Sequence, residues 1–199
     1  MDTEALAGAV IKRIFVELEA SARHVHVTRE QAMQLFGHSL TPKRPLSQPG
    51  QYLAQERLTV IGPKGQLEHV AVLGPERSHA QVEISLTDGR ALGINPPIRA
   101  SGDVKNSPGI TLEGPCGAIT VPEGVIAAQR HIHMTPAAAA TMGVKDKQTV
   151  QLQTFTQRPV IFSNVLVRVS DQFSTFAHLD FDEANACGFQ PGDLGRILP

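Results

Sequence analysis

Arg23-His24-Val25-His26-Val27-Thr28 occurs twice in this chain, the second time as Arg130-His131-Ile132-His133-Met134-Thr135. The copies lie 107 residues apart, so His24 aligns with His131 and His26 with His133. Each has Arg before the first His, a β-branched residue between the two, and Thr two positions after the second. In a strand, side chains at i and i+2 leave the same face. Each copy can therefore aim two imidazoles at one point, and imidazole is a common ligand for zinc and related metals.

Outward from each doublet the local signals also repeat. Ile14 to Ala22 alternates and reads as a strand running into the first His-x-His. Thr28 with Gln31 three residues on has the form of a capping box, which predicts a helix over Arg29–Phe36 stopped by Gly37. In the second copy Thr135 precedes Pro136, a favoured first helical residue, then four alanines and Gly143. Before the first doublet, Thr3 to about Arg13 reads as a short helix, N-capped by Thr3 with Leu6, Val10 and Ile14 as its stripe. A helix this short needs a surface to dock on, in this chain or on a partner.

A second correspondence has an offset of 95 residues. It runs without a gap from His69 against Asn164 to Gly93 against Gly188. It pairs Val70 with Val165, Val72 with Val167, Asp88 with Glu183, and Glu83 with His178. One half of the chain thus offers His24, His26 and Glu83, and the other His131, His133 and His178. Three protein ligands with an open position are the pattern of a catalytic zinc site rather than a closed structural one. Two such sites facing each other across a pseudo-twofold could bind both reacting oxygens of one reaction. His38, His69 and His79 read as solvated or structural.

Between the repeats, strands are expected at about Arg57–Ile61, Leu67–Leu73, Val82–Leu86, Ile110–Leu112, Ala118–Val121, Thr149–Phe155 and Val160–Val169. His38–Gln51, with three prolines, is expected to be a loop. The 199 residues contain 17 Gly and 14 Pro with only 5% aromatics, which suits many turns between short strands and favours a barrel or sandwich over a doubly wound sheet. A net charge of -1 argues against a general nucleic-acid binder. No apolar run approaches the length of a membrane span, and no secretory signal pattern occurs, so a soluble intracellular protein is expected. Cys116 and Cys187 form no C-x-x-C and are expected to be buried, reduced thiols.

Nucleotide-binding glycine motifs and the G-x-S-x-G elbow are absent, and neither cysteine has an obvious base. Arg77, six residues before Glu83, could hold an oxyanion through its fork of donors. Pro97–Asp103, which contains Arg99, has the look of a turn with a buried polar network. His24-x-His26-x-x-x-Glu30 followed by Gly37 resembles part of a cupin metal motif. Against a cupin stand Leu18 in place of the upstream glycine, Glu30 inside a capped helix, and Ala137 in the second copy.

Ser21–His26, Gln81–Asp88, Pro97–Asp103, Arg130–Thr135 and Asp182–Ala186 together resemble the phosphotransacylase family of propanediol utilisation (PduL), over nearly the whole chain after about Phe15. The resemblance implies reversible transfer of a short acyl group, propanoyl or acetyl, from CoA to phosphate, and two zinc ions. Family metal ligands fall on His24, His26 and Glu83 for one ion and on His131, His133 and His178 for the other. The phosphate-binding, catalytic arginine falls on Arg77, and CoA contacts fall on Ser21, Ala22 and Asn185. The implied mechanism is direct attack of phosphate held by the metals on the thioester.

The implied fold is mainly β: two small β-barrels related by the repeat, each capped by short α-helices. One barrel would comprise residues 14–22 plus 129–199 and the other residues 23–128, after an amino-terminal helix over 1–13. Many family members carry a longer amino-terminal extension that directs them into a bacterial microcompartment. Little precedes the first strand here, which counts against encapsulation; a cytoplasmic protein is expected, with the interior of a microcompartment as the alternative. A contact with a microcompartment shell would fall to the amino-terminal helix, and a homo-oligomer is compatible with the family. The readings from other classes are a zinc-dependent hydrolase or cupin-type enzyme, and a non-catalytic metal-binding module.

Overall fold

The computed structural model describes Gly8, Val10, Ile11 and residues 13–198. Of the amino-terminal segment, Gly8, Val10, Ile11, Arg13 and Ile14 are helical, whereas the expected cap Thr3 and Leu6 lie outside the described residues. Val10, Ile11 and Ile14 are exposed. No described helix is long and apolar enough to cross a membrane.

The protein is mainly β and divides into two compact units. One takes the amino-terminal residues through Ser21 together with the chain from Arg130 onward; the other is Ala22–Gln129. In the first unit, β1 (Phe15–Ala20), β11 (His131–Met134), β12 (Thr149–Phe155), β13 (Ile161–Val169), β14 (Phe176–Leu179) and β15 (Leu194–Leu198) form a closed barrel of order β1-β14-β11-β13-β12-β15. The second unit has β2 (His24–His26), β3 (Pro42–Pro45), β4 (Tyr52–Ile61), β5 (Gln66–Gly74), β6 (Gln81–Glu83), β7 (Ile98–Arg99), β8 (Ile110–Gly114), β9 (Gly117–Val121) and β10 (Val125–Ala128). Its sheet is an open path, β7-β10-β6-β2-β5-β4-β8-β9, with β3 paired to β4.

The same plan underlies both sheets. Each His-x-His strand lies between a parallel strand (β5 or β13) and an antiparallel one (β6 or β14). That antiparallel strand has a further parallel neighbour, β10 beside β6 and β1 beside β14. The first unit closes because β1 also pairs with β15. In the second unit the corresponding neighbours part company. β10 pairs with β7 and β8 with β9, and bonds from the Val125 N–H to the Pro108 carbonyl and from the Gly124 N–H to Ser107 Oγ tie that edge.

Alternation fills each interior. Val70 and Val72 on β5 and their counterparts Val165 and Val167 on β13 are at most 1% exposed. They pack with Val25, Val82 and Leu112 in one unit and with Val16, Ile132 and Leu152 in the other. Each fully buried side chain of this size contributes roughly 1.5–3 kcal/mol. β5 and β13 also share a bulge, where His69 (φ 55°) and Asn164 (φ 58°) take the left-handed conformation at equivalent positions. His69 is therefore a bulge residue.

The helices follow their caps. In α1 (Arg29–Phe36) Thr28 Oγ1 accepts from the Gln31 N–H, and Gln31 Oε1 accepts from the Thr28 N–H. Thr135 caps α3 (Pro136–Met142) with Pro136 in its first turn. Two further helices correct the sequence reading: α2 (Leu86–Leu92) and α4 (Phe181–Cys187), each opened by a capping box, Ser85 with Asp88 and Asp180 with Glu183. The strand expected over Val82–Leu86 thus ends at Glu83, because Ser85 and Asp88 satisfy the first free N–H groups of a helix. Gly93 and Gly188 end these helices with φ of 79° and 66°.

Three other expectations are corrected. β3 forms inside the proline-rich segment expected to be a loop. A sheet edge tolerates the missing proline N–H. Strands β10, β14 and β15 carried too little alternation to be anticipated. Cys116 is exposed; Cys187 is buried, and both are free thiols.

Candidate metal centres

Register decides which side chains meet. In the antiparallel pair β2–β6, His24 stands opposite Glu83; in β11–β14, His131 stands opposite His178. Two residues along each doublet strand, His26 and His133 leave the same face as their partners. The result is two clusters, His24/His26/Glu83 and His131/His133/His178, in each of which one ligand atom per residue lies within 4.8 Å of the others.

Each cluster is braced by an arginine whose role the sequence reading missed. Arg23, just before the first doublet, reaches the Asp88 carboxylate at 3.1 Å. Arg130, just before the second, meets Glu183 at 2.5 Å. Asp88 and Glu183 are the capping-box carboxylates of α2 and α4, so each clamp ties a doublet strand to the helix that follows its third ligand.

In the first cluster the ring nitrogens are sorted by the backbone. His24 Nδ1 lies 2.7 Å from the Ala22 carbonyl, and His26 Nδ1 lies 3.1 Å from the Leu73 carbonyl. A carbonyl can only accept, so both Nδ1 atoms carry the proton and both Nε2 lone pairs are left to a cation. His24 Nε2 is 3.6 Å from Glu83 Oε2. The other carboxylate oxygen accepts from Gln81 Nε2 at 2.5 Å and from Ser101 Oγ at 2.6 Å. Gln81 in turn accepts from the Gly102 N–H at 2.9 Å. The Pro97–Asp103 turn is thus the support of Glu83. Arg99 holds that turn through Asp103 and the Lys105 carbonyl. A polar turn was legible in the sequence; its target was not.

In the second cluster His133 Nδ1 lies 3.3 Å from His178 Nε2, and His178 Nδ1 lies 3.5 Å from Glu19 Oε2. Two nitrogens at 2.0–2.1 Å from one tetrahedral zinc would stand about 3.3–3.4 Å apart. His133 Nε2 is buried and has no hydrogen-bond partner among the described residues. Phe173 packs on the His133 ring at 4.2 Å, and Arg168 lies over Phe173.

Burial holds both inner histidines uncharged. His26 is lowered from 6.5 to about 2 by burial first, then by His24 and Arg77. His133 is lowered to about 3 by burial, then by His131 and Arg168. Neutral imidazole is the form that binds metal. Histidines that are buried, or half-buried in the case of His178, and crowded together beside a carboxylate in one cluster fit a divalent cation such as zinc.

The remaining expected site residues are placed as follows. Arg77 is partly buried, close enough to His26 to affect it, and its backbone N–H donates to the Val27 carbonyl. Ser21 is partly buried and its N–H donates to the Leu179 carbonyl; Ala22 supplies the carbonyl that orients His24. Asn185 is exposed on α4. His38 and His79 are exposed and belong to neither cluster.

The family model for phosphate propanoyltransferase matches residues 17–190. A phosphate propanoyltransferase of Clostridioides difficile is 47% identical over 197 residues, covering 98% of this chain and 94% of the relative. One from Enterococcus faecalis is 49% identical, covering 95% and 93%. One from Listeria monocytogenes is 51% identical, covering 92% and 87%. The chain, a transferase, belongs to the phosphate propanoyltransferase family.

Proposed function

We propose that this protein transfers a short acyl group, propanoyl or acetyl, from CoA to phosphate, reversibly. In the forward direction a phosphate oxygen forms a bond to the thioester carbonyl carbon. The carbon–sulfur bond breaks, and CoA leaves as the thiolate while acyl phosphate is released. The observation that carries the reading is the pair of clusters, His24/His26/Glu83 and His131/His133/His178, each built at the same register.

Two divalent cations, zinc by the donor set, would supply Lewis acidity for the carbonyl oxygen and affinity for the departing thiolate. His24, His26 and Glu83 would hold one, and His131, His133 and His178 the other. Arg77 orients phosphate, since a guanidinium presents paired donors to two oxygens of one anion. Ser21, Ala22 and Asn185 contact CoA; Asn185 is exposed to solvent, as contact with a large ligand requires. No residue is needed as a covalent nucleophile, because phosphate attacks directly. The main gain is then the positioning of two anionic reactants.

The test is thiol release from propanoyl-CoA and acetyl-CoA by the zinc-loaded full chain, with acyl phosphate trapped as its hydroxamate. Release that requires phosphate, matches hydroxamate and stops with a chelator is the expected result. Release in plain buffer would make the protein a hydrolase. Metal binding with no turnover would make it a binding module.

A further inference from the structure

We infer that Glu19 is a positioning residue of the second metal centre, supplying through His178 the carboxylate that the three-histidine cluster lacks. The inference rests on the reading that this cluster holds a cation. In the parallel pair β1–β14, Glu19 stands opposite His178. The His178 ring lies between two partners: its Nε2 faces His133 Nδ1 at 3.3 Å, and its Nδ1 faces Glu19 Oε2 at 3.5 Å. A carboxylate on Nδ1 keeps the proton there and leaves the Nε2 lone pair to the cation. It also makes the imidazole a stronger donor.

The internal repeat gives an independent argument. β10 occupies beside β6 the place that β1 occupies beside β14, and Ile126 stands opposite Glu83 as Glu19 stands opposite His178. Ile126 is fully buried, whereas Glu19 keeps a third of its side chain exposed. Where the ligand is a carboxylate, its neighbour is apolar; where the ligand is an imidazole, its neighbour is the carboxylate. Each cluster therefore carries one negative charge, bound directly in the first and one residue removed in the second. The second-layer partners mirror this. His24 and His26 lean on neutral carbonyls of Ala22 and Leu73, and His178 leans on a charged group. The carboxylate arrives on β1, the strand that also closes the barrel against β15.

The experiment compares zinc binding by the wild-type full chain and by Glu19→Gln, using competition with a chromophoric chelator, and repeats the titration with cobalt to read the visible spectrum. Gln keeps the size of the side chain and removes its charge at a partly exposed site. Wild type is expected to bind two equivalents. Glu19→Gln is expected to keep one unchanged and to weaken the other by about 10–100-fold, with a shifted cobalt spectrum for that equivalent alone. In a His178→Ala background, Glu19→Gln is expected to cause no further loss. Two equivalents of wild-type affinity and spectrum in Glu19→Gln would overturn the role of Glu19 and leave the metal reading standing. Parallel weakening of both equivalents would reduce Glu19 to a structural residue. Fewer than two equivalents in wild type would remove the reading on which the inference rests.

Discussion

Replacing Arg130 with Met should destabilise the first unit in a pH-dependent way. Arg130 meets Glu183 at 2.5 Å, donates from Nε to the Ser163 carbonyl at 2.9 Å and lies 5.5 Å from the Phe162 ring centre. The side chains of Arg130 and Glu183 are 30% and 16% exposed, between a surface pair and a buried one. Surface pairs contribute about 0–1 kcal/mol, and breaking a fully buried pair costs about 3–5 kcal/mol, so about 2–3 kcal/mol is expected here.

Burial pushes the Glu183 carboxyl above its ordinary value, and the hydrogen bond from Arg130 pulls it back. Without Arg130 the folded-state value rises further. A carboxyl whose folded pKa exceeds its unfolded pKa binds more protons when folded. Its penalty is therefore absent well below the unfolded value and grows as pH rises through that value to the folded one. Urea unfolding at about pH 5 and about pH 7.5 should show a larger deficit at the higher pH. The double variant Arg130→Met/Glu183→Gln should recover most of the loss at about pH 7.5. A deficit under about 1 kcal/mol, or one equal at both pH values, would refute the clamp as a structural element.

Ser101→Ala removes one of two bonds to Glu83 Oε1, a charge-assisted bond worth about 1.5–3 kcal/mol, so cation affinity at the first cluster should fall at least about tenfold in a chelator competition. Arg77→Ala should raise the phosphate KM roughly tenfold or more with a smaller effect on the acyl-CoA KM, read from initial rates. In the metal-free protein His26 and His133 titrate at about 2 and about 3 when folded, against 6.5 as the ordinary value. The unfolded chain takes up those protons first. Stability should therefore be full above 6.5 and fall as pH drops towards the folded values, by about 1.4 kcal/mol per pH unit for each histidine, read by urea midpoints. Gly62→Ala would set a Cβ 2.3 Å from the Leu92 carbonyl oxygen, and a loss of about 1–3 kcal/mol is expected in the same assay.

What short-range physics controls is legible in the order of the amino acids. Doublet spacing put two imidazoles on one face, and Thr28 with Gln31, or Thr135 with Pro136, set the helix starts to the residue. Even the two helices absent from the sequence expectation have local signals, Ser85 with Asp88 and Asp180 with Glu183, but the apolar alternation through Val82–Leu86 competes with the first of them. The offset alignment matched Glu83 with His178 before either could be placed in space. Tertiary structure decided which distant strands became neighbours. The order β1-β14-β11-β13-β12-β15 unites strands from both ends of the chain. Such pairings are selected by burial over long loops, and they leave no periodicity in any one segment. For the same reason Gln81 and Ser101 behind Glu83, Glu19 behind His178, and Arg23 and Arg130 on their carboxylates became visible only when strands and turns far apart in sequence were set side by side.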